Sequence, residues 1–422
     1  MTISKHKIFF ASHIANEKMD GWLENHAIVI EKGIIIDVVP ETKLASDYKE
    51  KYKLFHLGNC YLIPGLIETH AHVQFSATTE AYDIFFSENL KQLKNRAVSN
   101  LKTALLSGVT TIRDLGTPNE LIFALKKEVD QGYFDGPEIF PTGTPITTDK
   151  GHCWFFGTVA HSTKEVLKAM ENQINRGATH LKIMASGGNF TPSANPRKAQ
   201  YSAKTIGEAV KFCESNGTYL CAHTLSKEST KICIEQGVNN IIHGRWFDSS
   251  PEKSYSFDRK YSKLMSDKGI FLDSTLSKDL LEYEAEKRGH KKRNPNPNVA
   301  KAQPTLQEII EIFRIINEDG VELIGALDMG MSQAFFNKSV ASAWAHVEWL
   351  GFNHWKAIRS LTTTNAKAMK IDNYKGKIKK AYVADFTTYD KDPSINIRNL
   401  NFNPKDIILK GNPIKIDHKT II

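Results

Sequence analysis

The five cysteines of this chain, at positions 60, 153, 213, 221 and 233, show no C-x-x-C pairing. Their spacing therefore predicts free thiols in a reduced, intracellular protein rather than a disulfide framework. No apolar run approaches the length of a membrane span, and the opening MTISKHKIFFASHI lacks the apolar stretch of a secretory leader. The expectation is a soluble, cytoplasmic protein with no membrane partner. Charge of one sign is also in short supply: 55 lysines and arginines against 47 aspartates and glutamates leave +8. The basic residues are scattered except for KRGHKKR at Lys287–Arg293, which reads as a solvated loop. Nucleic acid is therefore not an expected partner. A disorder signature is absent too, because 41% hydrophobic and 24% charged residues can fill a core. At 422 residues the chain exceeds one ordinary domain, yet it matches a barrel enzyme with an appended domain.

What is present is organised around YLIPGLIETHAHV, Tyr61–Val73. It reads as a buried strand, Leu62–Ile67, with an entry turn or bulge at Pro64-Gly65 and two histidines, His70 and His72, at its carboxyl end. In extended chain, side chains two apart share a face, so both imidazoles lean into one space. Before it, Lys7–Ser12, His26–Glu31 and Gly33–Val39 read as short strands, with a hairpin turn at Glu31-Lys32-Gly33.

After it, strands and helices alternate. Strands are predicted at Val109–Asp114, Glu138–Thr142, His180–Ala185, Tyr219–Ala222, Asn240–His243, Ile270–Ser274 and Glu322–Leu327. Helical patterns separate them, beginning with one long stretch over Glu80–Ser107. With the opening strand this makes eight units, the pattern of a parallel (β/α)8 TIM barrel. Short strands return at Ala384–Tyr389, Asp406–Leu409 and Pro413–Ile416. They are expected to join the N-terminal strands in a small β-sandwich domain built from both chain ends. The implied division is 1–63 and 372–422 for the β domain, and 64–371 for the barrel. Two long loops are expected, Gly143–Ser162 and Leu276–Gln303, the second a lid or a disordered segment.

The active site of such a barrel lies at the carboxyl ends of its strands. Read there in order, the chain supplies His70 and His72, Lys182 in THLKIMASGG, His223 in YLCAHT, His243 in NIIHGR and Asp328 in IGALDMG. Each has a plain structural use: a histidine can bond a carbonyl, a lysine can snorkel, an aspartate can cap a helix. Six of them at one barrel mouth point to a metal site, with zinc the first choice and iron or manganese also suited to imidazole and carboxylate.

These stretches, with PGLIETHAH, ALDMG and GKIKKAYVADFTTYD, resemble the metal-dependent amidohydrolase superfamily. GVTTIRDLG, the GH of DKGHC, SGGNFTPSANP and AQYS resemble its imidazolonepropionase-like and Xaa-Pro or Xaa-Arg dipeptidase-like branch. The resemblance implies two divalent metal ions: His70, His72 and Asp328 on one, His223 and His243 on the other, with Lys182 carbamylated by carbon dioxide as the bridge. It implies a metal-bridging hydroxide as nucleophile, with Asp328 passing its proton to the leaving nitrogen. The implied reaction is hydrolysis of a C–N bond in a small-molecule substrate, a dipeptide or an N-acyl amino acid. A cyclic-amide hydrolase or deaminase is the alternative within the superfamily, and a non-catalytic scaffold member the alternative outside catalysis; the complete ligand set argues against the scaffold. The oligomeric state is left open, a homo-oligomer included.

His152 lies where relatives of this branch place a substrate-contacting histidine. Arg245 and Trp246, in HGRWFD, depart from the usual small, apolar continuation and are candidate substrate contacts. Glu68, where the family often has aspartate, is expected behind the ligands. Arg113 and Asp114 are expected to form an ion pair supporting the site.

Overall fold

The computed structural model describes residues 6–290 and 303–421. The expected first strand is two strands in two different sheets. Tyr61–Pro64 lies between His6–Ala15 and Phe386–Tyr389, whereas Leu66–Ala71 pairs in parallel with Val109–Asp114. Gly65 is the switch. A Cβ there would sit 2.2 Å from Thr110 Oγ1, and its amide donates to Asp385 O at 2.9 Å. Only glycine lets the chain pass this close.

Nine strands from both chain ends, from Ile34–Pro40 to Lys419–Thr420, bond as one mixed sheet. The two ends therefore do meet. Where a small sandwich is expected, these strands bond among the described residues as a single sheet. Strand periodicity divides its burial. Phe9, Ile28 and Phe386 pack on one face, while Ile8, Phe10 and Val29 pack on the other against Leu44 and Tyr52. Lys375, 2% exposed, binds Asp385 at 2.5 Å and Glu138 at 3.0 Å, and so ties the sheet to the strand Glu138–Pro141.

The remainder is a mixed α/β structure with two parallel ladders. Three strands, Leu66–Ala71, Val109–Asp114 and Glu138–Pro141, form one. The other runs through Leu181–Met184, Leu220–Ser226, Asn240–Phe247 and Phe271–Asp273, with the short strands Ile146–Thr147 and Thr158–Val159 at its edge. The ladders do not close into a continuous barrel. The expected eighth strand is present only as two isolated parallel bridges, Leu272 to Leu323 and Ala71 to Met329. Its amides are taken elsewhere: Gly325 N donates to Ser360 O at 2.8 Å and Leu327 N to Glu68 Oε1 at 3.1 Å. The segment still links the last strand of one ladder to the first of the other, which places Asp328 beside His70.

Helix starts follow local chemistry. Asn89 with Gln92, Ser162 with Glu165, and Thr305 with Glu308 form capping boxes for Leu90–Leu106, Thr163–Asn175 and Leu306–Glu318, each cap worth about 1 kcal/mol. The Asn89 cap also explains why the expected helix over 80–107 is two, Ala81–Ser87 and Leu90–Leu106: a cap residue is extended, not helical. The expected loop from Leu276 is corrected. Leu276–Lys287 is a helix that buries Leu276, Leu280, Leu281 and Ala285. Beyond it, 288–290 and 303 are non-helical, and 291–302 lie outside the described residues. All five cysteines are buried and free. No described helix is long and apolar enough to cross a membrane.

Candidate metal centre

His70 ends the strand Leu66–Ala71, and His72 follows it as the chain leaves the sheet. Both are buried, as is Asp328. His70 Nε2 lies 3.2 Å from Asp328 Oδ1, and His72 Nε2 lies 3.6 Å from the same oxygen. One ligand atom from each of the three falls within 4.8 Å of the others. Each ring has its other nitrogen engaged. His72 Nδ1 donates to Gly116 O at 2.9 Å, and His70 Nδ1 donates to Asp273 Oδ2 at 2.6 Å. Both Nε2 lone pairs are thus turned on a carboxylate oxygen with no proton of their own to offer. Three ligand-type atoms converging in a buried space fit a cation between them, and outer hydrogen bonds of this kind are what orient metal-binding imidazoles.

The other candidates surround this trio. His223, on Leu220–Ser226, has its Nε2 3.1 Å from Gly187 O, which leaves Nδ1 open. His243, on Asn240–Phe247, has Nδ1 3.0 Å from Thr275 Oγ1, which leaves Nε2 open. The rings of His223 and His243 are 4.7 Å apart, and those of His70 and His243 are 5.6 Å apart. Burial first, then neighbouring positive groups, pushes all four imidazoles well below their usual range. They are neutral at neutral pH, the form a metal takes.

Lys182 is 2% exposed on Leu181–Met184, in register with Cys221, two positions before the Met184–His223 pair. Its charge bears on all four histidines and on Asp328. Burial brings its amine down to about 8, a loss that Cys221, Asp328 and Asp273 partly offset. Burial likewise pushes Asp328 up to about 7 and Asp273 up to about 6. His243 at φ 67° and Asp328 at φ 62° occupy the left-handed region, so two of the converging side chains sit on backbone that only a firm surround maintains.

His152 packs on His223 with ring centroids 4.3 Å apart. A Cβ on Gly188 would strike its ring at 2.3 Å, and its amide donates to Gln200 Oε1 at 2.9 Å. Arg245 extends from the same strand as His243. Its Nη2 donates to Thr275 Oγ1 at 3.0 Å and to Asp279 Oδ2 at 2.7 Å, its guanidinium lies over Phe313, and its Nη1 is buried with no hydrogen-bond partner.

Three supporting residues differ in outcome. Glu68 is fully buried and accepts from His70 N, Leu327 N and Ser339 Oγ, so it braces the backbone behind the ligands; burial pushes it up to about 8. Trp246 is fully buried in the hydrophobic core, 5.3 Å from the ring of Phe257. Arg113 and Asp114 are not an ion pair, because adjacent strand residues face opposite ways. Arg113 donates to Thr69 O and Asn240 Oδ1, while Asp114 accepts from Val73 N and Thr117 Oγ1. Sequence reasoning passed over Asp273 and Thr275. The signal was available, since GIFLDST puts an acid at a strand end as ALDMG does.

A family model described as the amidohydrolase family matches residues 61–414. An ochratoxinase of Aspergillus niger is 26% identical over 283 residues, 60% of this chain and 56% of that protein, so the chain spans about half the length of the curated relative it matches. Among solved structures, a Xaa-Pro dipeptidase with bound methionine in its active site superposes with a TM-score of 0.81 at 24% identity, covering 97% of this chain and 100% of that one. The crystal structure of the A. niger ochratoxinase superposes with a TM-score of 0.82 at 22% identity, covering 98% and 96%.

Proposed function

This chain belongs to the amidohydrolase family, and from that premise we propose that it hydrolyses the C–N bond of a dipeptide or an N-acyl amino acid on a two-metal centre. The observation that carries the reading is the buried His70, His72 and Asp328 trio, with both outer imidazole nitrogens tied back and both inner lone pairs on one carboxylate oxygen. The names borne by similar proteins, Xaa-Pro dipeptidase and ochratoxinase, support a peptide-like amide. The two parallel ladders, linked through 321–329, are read as an eight-stranded barrel of that family.

In this reading His70, His72 and Asp328 would hold one divalent ion, zinc first, His223 and His243 would hold the second, and Lys182, once carbamylated, would supply an anionic ligand to the centre. When bound, such ions make water nucleophilic at neutral pH and polarise a carbonyl. Asp328 takes up the proton released on attack and delivers it to the departing nitrogen. His152, against His223, and Arg245, on the same strand as His243, contact the substrate carboxylate.

The test is a screen of dipeptides and N-acyl amino acids with metal-reconstituted protein, together with metal analysis. Turnover of a member of either class and a content near two equivalents are expected. No turnover across both classes would remove the substrate reading. One equivalent with unmodified Lys182 would remove the two-metal reading.

Arg245→Ala should weaken kcat/KM by about 1.5–3 kcal/mol, the worth of a charge-assisted hydrogen bond. The loss should largely vanish for a substrate whose carboxylate is amidated. Equal losses on both substrates would make Arg245 structural.

A further inference from the structure

Thr275 stands just before the helix Leu276–Lys287, where a threonine side chain ordinarily accepts a hydrogen bond from the first turn. It makes no such bond. Its backbone is left-handed, φ 51°, where a β-branched residue is an outlier, and it is 2% exposed. A strained threonine with its local use abandoned calls for another explanation.

The hydroxyl has three partners. It donates to Ser274 O at 2.8 Å, so its only proton is spent. It accepts from Arg245 Nη2 at 3.0 Å, and Asp279 fixes that guanidinium at 2.7 Å. The remaining lone pair faces His243 Nδ1 at 3.0 Å. With the hydroxyl proton on Ser274 O, the lone pair facing His243 Nδ1 calls for a hydrogen on that nitrogen, and Nε2 is left as the ligand atom. Meanwhile Thr275 N donates to Asp273 Oδ1 at 3.0 Å, and the other oxygen of that carboxylate holds His70 Nδ1.

We propose that Thr275 is a positioning residue that sets the tautomer and ring plane of His243, and that Asp273 and Thr275 form one clamp on a histidine from each half of the centre. The metal-binding consequence rests on the reading of His243 as a ligand. The tautomer consequence does not.

Thr275→Val removes the hydroxyl at nearly constant shape, and Thr275→Ser keeps it. Two readouts separate the proposal from the two-metal reading. In metal-free protein labelled with 15N histidine, the imidazole nitrogen shifts should show His243 protonated on Nδ1 in the wild type and in Thr275→Ser, and as a mixture of tautomers in Thr275→Val. In titrations with zinc alone, Thr275→Val should bind the equivalent assigned to His223 and His243 about 10–100-fold more weakly, the usual effect of removing an outer partner. Thr275→Ser should stay close to the wild type. A wild-type His243 protonated on Nε2 would overturn the proposal. So would an unchanged tautomer in Thr275→Val, or equal loss in both variants. If the wild type bound one zinc only, the two-metal reading would fall and the nitrogen shifts would still decide the role of Thr275.

Discussion

Lys182→Ala is expected to abolish turnover, by about four orders of magnitude or about 5.5 kcal/mol of barrier, and to strip most of the metal. The reason lies in where the lysine sits. It is buried among four neutral histidines and near Asp328, in a place that disfavours its own positive charge. An ammonium there would repel the cations that the histidines attract. The proposed carbamate reverses the sign, so alanine removes both the bridge and the anion that balances the ions. Acetate or propionate should restore part of both activity and metal content. The check is metal analysis and steady-state kinetics across a series of short carboxylic acids, with the circular dichroism spectrum confirming the fold. A variant that keeps its metal and its activity would end the bridging role.

Asp328→Asn should separate what Lys182→Ala joins. Asparagine matches the size of aspartate, tolerates the left-handed backbone at φ 62° and keeps one oxygen toward the centre. It cannot accept and return a proton. Turnover should fall by about 10²–10⁴-fold, the usual worth of a positioned acid–base group, while metal content falls less than in Lys182→Ala. Metal analysis of the two variants side by side decides the matter. Equal metal loss in both would leave Asp328 a ligand and nothing more.

How much of this was open to a reader of the sequence depends on the range of the interaction. Strand periodicity and strand ends are local, so His70, His72, Lys182, His223, His243 and Asp328 could be picked out from their positions alone. The strand Val109–Asp114 keeps its expected bounds for the same reason. The break at Gly65 was visible only as a possible turn, because the residue that demands a glycine there is Thr110, on another strand. The expected strand over 322–327 is apolar enough to be one, but Glu68, Ser360 and Asn365 take its amides, and no local pattern announces that.

The same distinction runs through the centre itself. The sequence by itself determined which side chains could bind a cation and which strand ends present them. Only the tertiary structure decided which nitrogen of each ring turns inward, because that choice rests on Asp273, Gly116, Gly187 and Thr275, which hold the outer nitrogens from other segments. It also decided that Arg245 is anchored on Asp279, in a helix where the sequence suggested a loop. Periodicity tells which face a residue occupies; the direction of a hydrogen bond depends on what the rest of the chain brings to meet it.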